Sequence, residues 1–172
     1  MEIKKIANNA INFSINRFIE ILAITIVVIG VLLLISLVSF SPNDPNFIFP
    51  EGTVIKNFLG YRGSFSSDLF FQSFGLTALL IPLSLIFTGI NIILSKKIFF
   101  IIESNFFTIL YLLSGSLFFS FFYTNSFELY INGNGGFVGK YLTTTFLHSL
   151  INYNPQFFYY LLLLLIISLF LI

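Results

Sequence analysis

Charged residues divide the chain into long apolar runs. Between Glu20 and Asp44 there is no charge, and fifteen of the twenty residues Ile21–Phe40 are Ile, Leu, Val or Phe. A helix needs about 20 such residues to cross a hydrocarbon core of about 30 Å. At roughly −0.3 to −0.6 kcal/mol each near a helix centre, this run contributes on the order of −5 to −9 kcal/mol towards insertion, an upper bound because end residues count less. The next uncharged run, Leu69–Ser95, holds Pro82 and Gly89, which membrane helices tolerate because neighbours satisfy the freed backbone groups. A third run follows Lys97 and reaches Phe127 with only Glu103 inside it, and a fourth covers Gln156–Ile172. The pattern predicts an all-α integral membrane protein, with 1–172 forming one membrane domain. Its four transmembrane helices are expected at about 19–41, 68–95, 101–124 and 156–172, arranged as two hairpins.

The first run is far longer than the 7–15 apolar residues of a signal peptide and no A-x-A-like site follows it, so it reads as an uncleaved anchor. The leader carries Ile3, Ile6, Ala10 and Phe13 at helical spacing. Two readings stay open for it, a short helix on the inner leaflet and a frayed tail. Lys and Arg in short loops set orientation. With the amino end inside, Lys4, Lys5, Arg17, Lys96 and Lys97 are cytoplasmic, against Lys56, Arg62 and Lys140 outside. Tyr61, Tyr123, Tyr130, Tyr141, Tyr153, Tyr159 and Tyr160 then gather at the outer interface, where a tyrosine ring finds lipid and its hydroxyl finds water. Both ends are expected in the cytoplasm.

Composition removes the other classes. The 172 residues are 57% hydrophobic, 19% aromatic and 9% charged, whereas a soluble domain carries about 25% charged residues. A disordered chain would be polar and poor in aromatics. With no cysteine there is no disulfide scaffold, thiolate metal site or Cys nucleophile. A net charge of +1 gives no footprint for nucleic acid.

Two stretches are expected outside. Ser41–Gly52, SPNDPNFIFPEG, has three prolines and ends the first span; Ser41, Pro42, Asp44 and Pro45 read as a turn in which a side-chain oxygen accepts backbone N–H groups. Thr124–Asn154 contains the flexible NGNGG at Asn132–Gly136. A short pattern recurs after each, offset by 76 residues: Gly60-x-x-Gly63 then Phe70, Gln72-Ser73 and Phe74, and Gly136-x-x-Gly139 then Phe146, His148-Ser149 and Leu150. The glycine pairs permit a tight helix start and close helix approach. The first copy is expected to run directly into the second span, with Asp68 near the helix N-terminus, where its charge is favourable. In the second copy Asn152, Asn154 and Pro155 interrupt, so a separate amphipathic helix is expected at about 137–151, in the outer interface or re-entering shallowly.

Chemistry finds little purchase. GNGGFVGKY at Gly133–Tyr141 resembles a phosphate-binding loop, but Asn134 stands where Gly is required and Tyr141 where Ser or Thr is required. His148 has no second ligand nearby for a metal. Glu103 belongs near the inner headgroups, and a proton-carrying role for it has no partner in sequence. Asp44, Glu51, Asp68 and Glu128 in the outer segments form no motif for a transferase. Ser84, Thr88 and Asn91, with the small residues Gly75, Ala78, Gly115 and Ser116, read as helix-packing features rather than a substrate path. No catalytic, metal or cofactor site is expected.

The turn SFSPNDPNF (Ser39–Phe47), then GYRGSFSSDLF (Gly60–Phe70), then FGLTALLIPL (Phe74–Leu83), and later Gly135-Gly136-Phe137-Val138-Gly139, resemble the four-span N-terminal membrane domain of the FtsK/SpoIIIE DNA translocases. The similarity runs over roughly 17–172; Phe40 stands where Tyr is common, and Ser64 and Ser67 where Ala is. The resemblance implies roles for Gly60, Gly63, Asp68, Phe74, Gly75, Pro82, Gly136 and Gly139 in helix starts and packing. It implies a domain of the bacterial inner membrane, at the septum, that anchors the protein, helps it form a homo-oligomer (a hexamer in the family) and contacts other cell-division membrane proteins. This segment itself would touch lipid and not nucleic acid; the ATP-driven motor lies in a part of the family's chain that has no counterpart here. The end at Ile172 without a basic tail favours a fragment over a motorless relative. A small transporter or channel subunit is the alternative, and it requires a polar groove through the bundle.

Overall fold

A computed structural model of the protein describes residues 2–45, 54–124 and 131–171. They form helices α1 (Glu2–Val38), α2 (Gly60–Phe74), α3 (Leu80–Ser95), α4 (Phe99–Phe122), α5 (Gly136–Thr143), α6 (Leu147–Tyr153) and α7 (Pro155–Leu171), with a 3-10 segment at Gly75–Leu79 and no strand among the described residues. Helices α1 and α4, and the helical run Gly60–Ser95 that joins α2 to α3, are long and apolar enough to cross a membrane, and α7 joins them when taken with α6. Helix α1 packs along α3, and α4 along α7, so the molecule is the four-helix membrane bundle of two hairpins that the apolar runs imply.

Close backbone approach holds the first hairpin together. A Cβ on Gly89 would meet the Val27 side chain at 2.5 Å and the Ala23 carbonyl at 2.8 Å; one on Gly30 would meet the Pro82 carbonyl at 3.0 Å. Lipid supplies no hydrophobic drive between helices, so such small residues set which faces meet. Leu33, Leu37, Phe71, Ala78, Ile81, Tyr111 and Leu112 form the buried cluster that joins the hairpins, and Leu117, Phe118, Ile151 and Leu162 form the core of the second.

Helix α1 differs from expectation. The leader is neither a separate surface helix nor frayed: it continues the first span without a break, giving 37 residues or about 55 Å. At Glu20 the helix draws level with the start of α4, because Glu20 accepts from Lys96 at 2.6 Å and pairs also with Arg17. This end of the bundle, with Lys96 and Lys97 in the α3–α4 turn, is the lysine end; the opposite end, with the 41–45 turn and α2, α5 and α6, is the loop end. The first span stops at Val38, where Ser39 Oγ donates to the Ile35 carbonyl at 2.7 Å.

Two further differences fall at the loop end. The first repeat copy runs into the second span, as one helical run over Gly60–Ser95, but a 3-10 segment at Gly75–Leu79 interrupts its α-helical path. Gly75, at φ +61°, ends the α-helical path of α2, and α2 lies against the end of α1, with Ser36 Oγ donating to the Gly63 carbonyl at 2.6 Å and the Phe40 ring 4.9 Å from that of Phe71. Since α2 starts at Gly60, Asp68 lies mid-helix and gains nothing from the helix N-terminus. The expected helix at 137–151 is two helices. Thr143, Thr144 and Thr145 each turn their hydroxyl onto a carbonyl three residues back, at 2.7, 2.7 and 2.6 Å, the local bonding with which threonine competes against helix. Beyond α6 the chain bends by 116° into α7 at Asn154–Pro155. Each hairpin therefore contains a glycine-started helix at the loop end and then a membrane helix, joined through a 3-10 segment in the first and through α6 and a 116° bend in the second.

Candidate functional site

The loop end is built from two polar clasps. In the first, Asp44 accepts the backbone N–H groups of Lys56 at 3.0 Å and Asn57 at 2.8 Å. Pro42 and Pro45 flank it in the turn, closed by the Asp44 N–H on the Ser41 carbonyl at 3.1 Å. The Asn57 amide in turn donates to the Ser36 carbonyl at 2.8 Å, while its Oδ1 accepts the Leu59 N–H at 3.1 Å. A Cβ on Gly63 would collide with that same Oδ1. Ser64 Oγ donates to the Pro45 carbonyl at 2.6 Å and Ser67 Oγ to the Gly63 carbonyl at 2.9 Å. Asp44, Asn57, Ser64 and Ser67 are all buried. Ser64 and Ser67 thus carry bonds that alanine cannot make.

The second clasp joins the hairpins. At the break, the Leu76 N–H donates to the Asn134 carbonyl at 2.9 Å, and Asn132 Nδ2 to the Gln72 carbonyl at 3.3 Å. Asn134 Nδ2 donates to the Tyr123 carbonyl. Gly136, at φ +65°, lies against the backbone of Ser73, Phe74 and Gly75, and a Cβ on Gly75 would fall on the Asn134 carbonyl. Ser116 Oγ donates to the Phe74 carbonyl at 3.1 Å, which also accepts from Thr77 Oγ1 at 2.8 Å. Gly135 and Gly139 both press on Ser116 and Ser120 of α4, so two small-xxx-small motifs face one another.

Gly60 and Gly136 are the first residues of α2 and α5, both at positive φ, +64° and +65°. Gly63 and Gly139, three residues on, are both buried. Phe74 contributes its carbonyl, Gly75 the break, and Pro82 a buried face against α1 at Gly30. Asp68 is 2% exposed and its Oδ1 has no hydrogen-bond partner. Asn57 and Ser120 were not singled out from sequence; the Ser116-x-x-x-Ser120 spacing was the signal for the latter. The phosphate-loop resemblance fails in three dimensions too, since the Gly136 N–H is spent on the Gly133 carbonyl and that of Gly139 on Gly135. The His148 ring lies tilted beside that of Phe121, centroids 5.5 Å apart, and no group of three metal-ligating side chains occurs among the described residues. Glu51, Glu128 and Tyr130 lie outside the described residues.

At the lysine end a cavity of about 380 Å³ opens between α3, α4 and the last turn of α7, with Asn91, Glu103 and Thr108 on its wall. Its polar lining stops where Ser84 Oγ meets Tyr111 Oη at 2.9 Å. Towards the loop end lie Ala78, Ile81 and Leu112, which are buried and apolar. Thr88 pairs with Ser104 across the α3–α4 contact, so the hydroxyls read from sequence as packing features do join the helices.

A family model described as the 4TM region of DNA translocase FtsK/SpoIIIE matches residues 16–172. A DNA translocase FtsK of Rickettsia bellii (strain RML369-C) is 34% identical over 82 residues, 46% of this chain and 11% of that protein. One of Rickettsia typhi (strain ATCC VR-144 / Wilmington) is 38% identical over 64 residues, 37% of this chain and 9% of that protein. The aligned stretches therefore span no more than 11% of these relatives. No solved structure matches the chain.

Proposed function

The chain belongs to the family of the 4TM region of DNA translocases FtsK/SpoIIIE, and from that premise we propose that it is the membrane anchor of a septal DNA translocase acting in cell division and chromosome segregation. The observation that carries this reading is coincidence of extent: the matched residues, 16–172, are those that build the four-helix bundle and both clasps. The role is mechanical. Apolar helices hold the protein in the bacterial inner membrane, self-association of the bundle aids assembly of the homo-oligomer, and the loop end meets other division proteins. Val54 and Phe58, 84% and 82% exposed beside the first clasp, offer that contact. ATP hydrolysis and DNA transport are work for a motor outside these residues. The excess of Lys and Arg at the lysine end supports an orientation with both termini cytoplasmic.

The transporter alternative needs a polar path from end to end. The lining of the cavity stops at Ser84 and Tyr111, which favours the anchor. The test is localisation of the fluorescently tagged chain in dividing bacteria, with co-purification of division proteins. Septal enrichment that is reduced by Val54→Ser with Phe58→Ser, at unchanged membrane level, is expected. Uniform membrane fluorescence overturns the septal role.

A further inference from the structure

Among the described residues, folding leaves the exposed charges of the loop end all basic, Glu51 and Glu128 lying outside them. At the lysine end, Arg17 and Lys96 share Glu20. At the loop end the two described carboxylates are withdrawn: Asp44 is 3% exposed and spends its oxygens on backbone N–H groups, and Asp68 is 2% exposed. Lys56, Arg62 and Lys140 are exposed there and make no ion pair among the described residues. The loop end thus presents only positive charge among its described, exposed ionisable groups, although sequence counting makes it the less basic side.

These three side chains are set among exposed aromatics. Tyr61 is next to Arg62 on α2; Phe137 and Tyr141 flank Lys140 on α5, 62% and 63% exposed; Phe146 and Tyr153 bracket α6. Helix α2 lies against the end of α1, and α6 is bent by 116° from α7. The start of α2, with α5 and α6, shares the loop end of the bundle, where α2 packs on α5; at a bilayer surface aromatic rings settle at headgroup depth and basic side chains reach phosphate.

We propose that Lys56, Arg62 and Lys140, with the aromatic collar of α2, α5 and α6, form a binding surface for anionic phospholipid headgroups of the leaflet at the loop end. Charge complementarity selects that occupant: a phosphate carrying net negative charge is attracted, and a zwitterionic headgroup of the same depth is not. The surface needs neither a septal partner nor a motor, so it stands apart from the functional reading above.

The test is native mass spectrometry of the full chain taken from nanodiscs of mixed phosphatidylethanolamine and phosphatidylglycerol. The wild type is expected to retain phosphatidylglycerol above its bulk share. The K56Q/R62Q/K140Q variant is expected to lose that preference, by roughly fivefold for each charge removed at low salt, while K96Q/K97Q keeps it. Because glutamine at exposed positions could still perturb folding, the wild type is also read at rising sodium chloride, where screening is expected to erase the preference. A preference absent from the wild type, unchanged in the triple variant, abolished by K96Q/K97Q alone, or insensitive to salt overturns the proposal.

Discussion

Oδ2 of Asp44 accepts the backbone N–H of Asn57 at 2.8 Å, across a separation of 13 residues. The Asn57 side chain passes the connection on to the Ser36 carbonyl at the end of α1, at 2.8 Å. One carboxylate thereby ties the turn after the first span to the start of α2. Asp44→Ala leaves two backbone donors without acceptors, and an unsatisfied buried donor costs about 1–3 kcal/mol. A lower melting temperature in detergent is expected for Asp44→Ala, and for Asn57→Ala as well. If the double variant melts no lower than either single one, the two residues act as one unit; full additivity would show that they do not.

Glycines with the same backbone angle should differ in tolerance. Gly60 and Gly75 stand at φ +64° and +61°, but a Cβ meets nothing within 4 Å at Gly60, whereas at Gly75 it lands on the Asn134 carbonyl. Gly60→Ala should cost only the left-handed penalty of about 1–2 kcal/mol. Gly75→Ala should add displacement of the second clasp. Protease resistance of the detergent-solubilised chain separates them: Gly60→Ala is expected to stay resistant and Gly75→Ala to be cut. Equal resistance would refute the clasp.

The contact between the hairpins can be captured covalently. A Cβ built on Gly115 lies 3.3 Å from the Thr77 Cβ, a few tenths of an ångström inside the range of about 3.5–4.5 Å found across disulfides. The sequence has no cysteine, so T77C/G115C has no competing thiol. Mild oxidation in membranes should give a bond that holds the fragments together after cleavage between residues 77 and 115. Separation of the fragments under non-reducing conditions would contradict the packing of the 3-10 segment on α4.

Orientation is accessible by the same route. Cysteine introduced in place of Arg62 should react with a membrane-impermeant maleimide added to intact spheroplasts. Cysteine in place of Lys97 should react only after permeabilisation. The reverse labelling would invert the bundle.

What the residues reveal by themselves is mostly local. The uncharged runs locate α1, α3, α4 and α7, because insertion depends on length and polarity and little else. The offset glycine pairs mark the starts of α2 and α5, since a positive φ at a helix start favours glycine. The break at Gly75 escaped, as its partner Asn134 is 59 positions away and the apolar pattern runs through it unmarked. Three threonines in a row carried a readable warning that 137–151 would not stay one helix. The burial of Asp44 and Asp68, and with it the charge left showing at the loop end, depends on tertiary contacts that periodicity does not encode.

The Asn134 carbonyl that receives the Leu76 N–H imposes an order on biogenesis. A chain made from its amino end delivers α1, α2 and α3 to the membrane long before residues 132–136 exist. Until they emerge, the Leu76 amide lacks its acceptor and the Gly75 kink lacks its support, so the earlier half must wait, inserted but unfinished, for the later half to complete it. Truncation anywhere between α3 and Asn134 should therefore leave a product that quality-control proteases recognise.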